Sequence, residues 1–440
     1  MPKDAVKTVF SAGMSLQRSL SSSILWRGIY FVAVALVNVV ASRLLGAETS
    51  GWLFYFFTVG ALVVLVVSLS AETAFSYFVS KQIITFQQAA HAALYWALFS
   101  GILQVLCMYL LLNFLPPIAI LTQTQMFAYG AMYVVGNTVI TFFNQLFITQ
   151  HQYKVPQQWL AGINFLLIAC FFLAANKAGV IALYCWFYLL QAAVLVVLFF
   201  TTNNIPLRFS VRISRATLVA MFRYAGVVMA GNAVFFLVYR IDYFFIHKYT
   251  VPTADIGNYL QASKLGQLLL VIPQIMASVL FPATAQQVDS DAVKPAIFCI
   301  ARLVFQLCLL LAIILYFFGE VFFTRVLGQS FHSTHTYLLL LLPGIFSLCV
   351  LALFSAYLSG KGRVQINLLA AVAALLVAIG LNIWLVPRWG AAGAAVASVG
   401  SYWINMLISF WVIHRYYSLP KNWWKPQKAD YFWLLNFIKL

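Results

Sequence analysis

About twelve times along this chain, roughly twenty consecutive residues pass with almost no charge, each run long enough to take an α-helix across about 30 Å of hydrocarbon. Inside a bilayer the backbone finds no water, so only helices or a closed barrel satisfy its hydrogen bonds. The runs are continuous rather than alternating with period two, which selects helices. They cover residues 24–45, 52–75, 89–115, 127–148, 157–175 and 180–201, then 224–247, 259–283, 296–318, 337–358, 367–386 and 391–414. The expected fold is all-α: a polytopic membrane protein with two pseudo-symmetric six-helix lobes. The expected division is an N-terminal lobe over 1–202, a basic cytoplasmic connector over 203–223, a C-terminal lobe over 224–417 and an interfacial tail over 418–440.

Composition agrees. Only 8% of the 440 residues are charged, against about 25% in a soluble domain. No stretch is large enough or polar enough to house a soluble catalytic domain, and no GxxxxGK[ST] occurs, so the chain is read as a non-enzyme without its own nucleotide site. The six cysteines (Cys107, Cys170, Cys185, Cys299, Cys308, Cys349) fall in apolar runs and read as small buried hydrophobes. His332 and His335 lack acidic companions, so no metal site is expected there. Residues 19–23 lead into a full-length span without a small-residue cleavage site, and no cleaved signal peptide is expected.

A net charge of +17 would suggest nucleic acid in a soluble protein. Here it sorts by side of the membrane, and no nucleic-acid partner is expected. Lys3, Lys7, Arg18, Lys81, Lys154, Arg208, Arg212, Arg215, Arg223, Lys294, Arg302, Lys361, Arg363, Arg415 and the tail lysines fall on one side. Arg43, Lys177, Arg240, Lys248, Arg325 and Arg388 fall on the other. That asymmetry places both termini in the cytoplasm with an even number of spans. The halves also echo one another. Residues 45–53 resemble 251–259, which makes Gly51 and Gly257 equivalent, and 177–182 resemble 389–394. A six-span repeat has parallel topology, with its axis along the membrane normal and the translocation path between lobes.

Charge within hydrocarbon costs about 2.5–3.5 kcal/mol per residue at a helix centre, so each intramembrane ionisable residue needs a reason. Arg27, Arg43, Glu72, Arg240, Asp242 and Lys264 are the candidates. For Arg27, one turn inside the first span, snorkelling to the interface competes with a functional role. Arg27 and Asn38 share a stripe, eleven residues apart. Asn137, Thr141, Asn144 and Gln145 share another, which lines a cavity or makes interhelical hydrogen bonds. Lys264, Gln267 and Gln274 share a sector of the eighth span. Arg240 and Asp242, two residues apart, point about 200° from one another and cannot pair on a regular helix. Asp242 is read either as a site for a coupling ion, H+ or Na+, or as the partner of a cation on another span.

The six-plus-six spans, Ser42-Arg43-Leu44-Leu45-Gly46 with Gly51 beyond it, Tyr239-Arg240-Ile241-Asp242-Tyr243, Ile256-Gly257-Asn258-Tyr259 and Phe281-Pro282 together resemble the Wzx-type polysaccharide flippases of the multidrug/oligosaccharidyl-lipid/polysaccharide exporter superfamily. The resemblance covers about 20–417. It implies alternating access between two lobes and a cationic cavity that neutralises an undecaprenyl-pyrophosphate-linked glycan, the unit of an O-antigen, capsule or exopolysaccharide, in the bacterial cytoplasmic (inner) membrane. Carried over by position, Arg27, Arg43 and Arg240 with Asp242 match family positions; Lys264 is added on depth and charge. Beyond a possible coupling ion no cofactor is implied. The implied partners are the lipid-linked glycan, membrane lipids, and the polysaccharide polymerase with its chain-length machinery, the protein itself acting as a monomer. Two other readings compete. A multidrug exporter of the same superfamily would want acidic residues for cationic drugs, and Asp plus Glu number only nine. A membrane-embedded polymerase or ligase would want a large outer loop, and none here exceeds about 20 residues.

Overall fold

A straight helix over Leu25–Val67 would be about 65 Å long, twice the hydrocarbon thickness, so the chain has to break it. The break is at Gly46, with φ 77° and ψ 169°, a backbone region open essentially to glycine alone. Gly390 does the same for the 52-residue apolar stretch Val364–Arg415, at φ 56° and ψ −133°. The computed structural model describes residues 14–115, 118–150, 152, 154–205, 213–249, 251–271, 273–274, 276–277, 284 and 294–416. Residues 206–212 of the connector, Phe281-Pro282 and the tail 418–440 lie outside the described residues.

Eleven α-helices and no strand occur among the described residues: α1 Met14–Val67, α2 Ala71–Ser80, α3 Phe86–Leu111, α4 Gln123–Thr149, α5 Lys154–Phe171, α6 Lys177–Thr202, α7 Arg215–Lys248, α8 Thr253–Gln267, α9 Lys294–Leu327, α10 Thr334–Gly360 and α11 Val364–Tyr416. Eight of them are long and apolar enough to cross a membrane, and α1 and α11 each join two sequence-predicted spans across a glycine kink. Local signals fix several starts. Thr85 with Gln88, and Thr122 with Gln125, form reciprocal capping boxes on α3 and α4, and Asn176 accepts from the Gly179 amide at the head of α6. The outside is oily, as lipid requires: on α9, Tyr316, Phe317 and Phe318 are each more than 60% exposed. This is a multi-pass membrane protein.

The fold has two compact units, residues 26–236 and residues 237–440 with 1–25, so the boundary falls within α7. In the first unit α4 packs on α2, α3 and α6; in the second α10 packs on α8, α9 and α11. The core of the first unit is aromatic. Phe142, Phe143, Leu146 and Phe147 of α4 meet Leu195 and Phe199 of α6, and the Phe199 ring lies edge-on to both Phe143 and Phe147 at 5.2 Å.

The same close approaches recur in both units. A Cβ on Gly60 of α1 would lie 2.8 Å from the Tyr133 ring of α4, and one on Gly266 of α8 would run into Ile345 of α10. Gly136 of α4 sits against the Tyr188 backbone of α6, at 2.8 Å from a built Cβ, and Gly344 of α10 against Val399 of α11, at 3.0 Å. Gly60 and Gly266 are 206 residues apart, the same spacing as Gly51 and Gly257. The sequence echo is therefore an echo of packing.

Replacing Gly46 by Ala forces a non-glycine residue into a glycine-only region and should cost about 1–3 kcal/mol, read as a lower thermal unfolding midpoint in detergent. Gly162→Ala is the control. Gly162 is exposed on α5 with nothing within 4 Å of a built Cβ, and its replacement should leave the midpoint unchanged or slightly raised.

Candidate functional site

In the second unit, α7 and α8 bring Arg240, Asp242, Lys264 and Gln267 into one cluster. Arg240 Nη2 donates to Gln267 Oε1 at 2.9 Å, and Nη1 donates to the Tyr243 hydroxyl, whose ring centroid is 5.0 Å from the guanidinium carbon. The Tyr243 hydroxyl in turn donates to Ser263 Oγ at 2.9 Å, and Gln267 Nε2 donates to the same oxygen at 3.2 Å. The guanidinium is thereby held in one orientation by α7 and α8 together. Lys264, one residue after Ser263, is half-buried and lies within electrostatic reach of Arg240. Two cations thus lie near one another on the neighbouring helices α7 and α8.

Asp242 does not close an ion pair with either. As the two-residue spacing requires, it faces away from Arg240 and is 2% exposed. Its Oδ1 accepts from the Tyr243 amide at 3.0 Å, and its Oδ2 accepts from Ser398 Oγ of α11 at 3.0 Å and from the Tyr259 hydroxyl of α8. Tyr243 and Tyr259 meet edge to face, 6.0 Å between centroids at 87°. The carboxylate is therefore satisfied by neutral donors and ties α7, α8 and α11 together, while its charge stays available to the neighbouring cations only through space.

The other sequence candidates are distributed differently. Gln274 is exposed and lies beyond a 3₁₀ turn at Leu268–Leu270 that ends α8. In the first unit, Arg27 is half-buried, and Arg43 is exposed one turn before the Gly46 break. Asn38 donates to the Val34 carbonyl at 2.8 Å and accepts from the Tyr184 hydroxyl of α6 at 3.3 Å. Of the α4 stripe, Asn144 Oδ1 accepts from Gln157 of α5 at 3.1 Å, and Gln145 and Thr149 donate to Ser76 of α2 at 3.3 and 2.7 Å, which is interhelical bonding. Asn137 is half-buried, and its carbonyl accepts from Thr141. Sequence reasoning missed the hydroxyl clamp. Tyr243 was legible as the residue three after Arg240; Ser398, 156 residues from Asp242, gave no signal.

Removing the Tyr259 hydroxyl takes one donor from a buried carboxylate. Tyr259→Phe should lower the unfolding midpoint by an amount equivalent to about 1.5–3 kcal/mol. Tyr109→Phe, at a side chain 60% exposed, should leave the midpoint in place. Equal midpoints for the two variants would mean that the clamp does not hold the three helices.

Residues 151–336 match the family model described as polysaccharide biosynthesis protein. No curated protein matches the sequence. Among solved structures, the lipid II flippase MurJ in an inward closed conformation superposes with a TM-score of 0.70 at 12% identity, over 94% of this chain and 95% of that one. An inward-facing multidrug resistance MATE family transporter of the MOP superfamily follows at 0.65 and 14% identity, over 93% and 97%. A MOP superfamily transporter from Pyrococcus furiosus, described as having a binding pocket of reverse polarity, gives 0.59 and 14%, over 90% and 95%. The chain has the fold of the MOP superfamily transporters.

Proposed function

We propose that the protein is a flippase that carries a polyprenyl-pyrophosphate-linked oligosaccharide, the repeat unit of an O-antigen, capsule or exopolysaccharide, across the bacterial cytoplasmic membrane by alternating access. The observation that carries the reading is Arg240 of α7 within electrostatic reach of Lys264 of α8. Like charges placed together in hydrocarbon repel and are each costly, and an anion bound between them reverses the sign of that interaction. A pyrophosphate supplies the charge and the acceptor oxygens that a guanidinium and an ammonium can meet. The match to a polysaccharide biosynthesis family and the fold shared with a lipid II flippase support a lipid-linked glycan over a cationic drug. So does the excess of 26 Lys plus Arg over nine Asp plus Glu. In this reading both termini are cytoplasmic, and Arg27 and Arg43 contribute cations from the first unit. Where transport is ion-driven, Asp242 is the acid at which H+ or Na+ acts.

The test is surface polysaccharide in a flippase-null strain complemented at matched expression. Arg240→Ala and Lys264→Ala should each lower export about tenfold or more, the loss expected for a charge-assisted hydrogen bond. Arg240→Lys and Arg27→Lys should retain part of it, because a point charge still attracts phosphate. Full export by the combined Arg27→Ala, Arg240→Ala, Lys264→Ala variant would end the cationic-capture mechanism.

A further inference from the structure

We infer that the groove between α2, α3 and the first turns of α7 binds one anionic membrane phospholipid, with an acyl chain in the groove and its phosphate against Arg215. This does not depend on what the protein transports. The groove encloses about 350 Å³ within the first unit. Its floor is made of Ala71, Ala74, Ala92 and Ala225, residues whose small side chains leave the space open. Its walls are aromatic: Trp96 lies 4.6 Å from Phe222 and 5.5 Å from Phe99, centroid to centroid.

The groove is a built feature and not a packing gap. The Trp96 indole donates to the Ser68 carbonyl at 2.9 Å, which fixes the wall to the chain break between α1 and α2. At that break Leu69 and Ser70 both take positive φ, 57° and 50°, and Asn232 of α7 donates to Ser70 Oγ at 3.1 Å. Three elements are thus locked around the space. An apolar cavity of this kind stays dry. Tyr95 and Phe99 at its edge are 37% and 54% exposed, so it opens to the surrounding medium, which for these helices is lipid chains.

Charge selects the lipid. On α7, Arg215, Leu218, Phe222 and Ala225 follow one helical stripe, so the arginine stands directly beyond the lining residues. Arg215 is exposed and has no hydrogen bond or ion pair among the described residues. In sequence, Arg208 and Arg212 precede it, and no Asp or Glu falls between 203 and 223. Clustered arginines beside a span draw anionic headgroups, whereas a zwitterionic lipid would bring an ammonium to them.

The full-length protein in detergent is titrated with phosphatidylglycerol or with phosphatidylcholine of the same chains, and retained lipid is counted by native mass spectrometry. Phosphatidylglycerol should bind more tightly. Arg215→Gln should weaken it about fivefold and leave phosphatidylcholine unchanged. Phosphatidylglycerol with brominated chains should quench the protein more than it quenches Trp96→Phe, which places the chain in the groove without any groove-filling substitution. Equal affinity for the two lipids, displacement by glycerol phosphate alone, tighter binding of undecaprenyl phosphate at this groove, or equal quenching of wild type and Trp96→Phe would each overturn the assignment.

Discussion

Inside a bilayer, lipid tails are as apolar as leucine, so burying apolar surface does not by itself bring two helices together; close approach and polar contacts do. The glycine seams of this protein answer that constraint. Gly60 lets α1 approach the Tyr133 ring of α4, and Gly136 lets α4 approach the Tyr188 backbone of α6. In the other unit Gly266 and Gly344 perform the same two tasks toward α10 and α11. A methyl group at any of these positions would meet an atom at 3.0 Å or less, so the seams are tight enough to give dispersion contacts along whole helix faces. The hubs α4 and α10 exist because each is approached this way from two sides.

Polar bonds then fix what close packing leaves free to slide. Gln157 to Asn144, Thr149 to Ser76 and Asn232 to Ser70 each join two different elements at 2.7–3.1 Å. Individually such bonds are worth under about 2 kcal/mol. Their value lies in register: each is made at a single axial offset of two helices. The Asp242 clamp is the strongest case, because a carboxylate removed from water loses far more than a hydroxyl does if its donors move away. It fixes α7 against α8 and α11 next to Arg240, which gives the guanidinium a constant setting.

Much of this was legible in the chain. Run length and scarcity of charge fixed the helical membrane class, and the echo of 45–53 in 251–259 anticipated the repeated packing. The two-residue spacing of Arg240 and Asp242 ruled out a direct pair, as their geometry confirms. What stayed hidden depends on backbone departures from the ideal helix or on contacts at long range. The 3₁₀ turn at Leu268–Leu270 interrupts the α-helix between Gln267 and Gln274, and helical periodicity assumes that no such turn occurs. The left-handed Leu69 and Ser70 carry no glycine to announce them. Ser398 is an ordinary serine in an apolar run until the fold sets it on Asp242.

The repeat also shows where the chemistry departs from the scaffold. With the 206-residue spacing that relates Gly60 to Gly266, Arg240 corresponds to Val34, Asp242 to Leu36, Lys264 to Thr58 and Gln267 to Ala61. Thr58 does nothing more unusual than donate to the Phe54 carbonyl one turn back, at 2.8 Å. The glycine seams are kept in both units, whereas the charged cluster is present in one. Packing demands are the same for both halves of a duplicated bundle, so seams repeat. Charge in hydrocarbon is expensive wherever it stands, so nothing about the bundle favours it in the second half over the first. A cost accepted at only one of two structurally equivalent places is not imposed by the packing that the two units share.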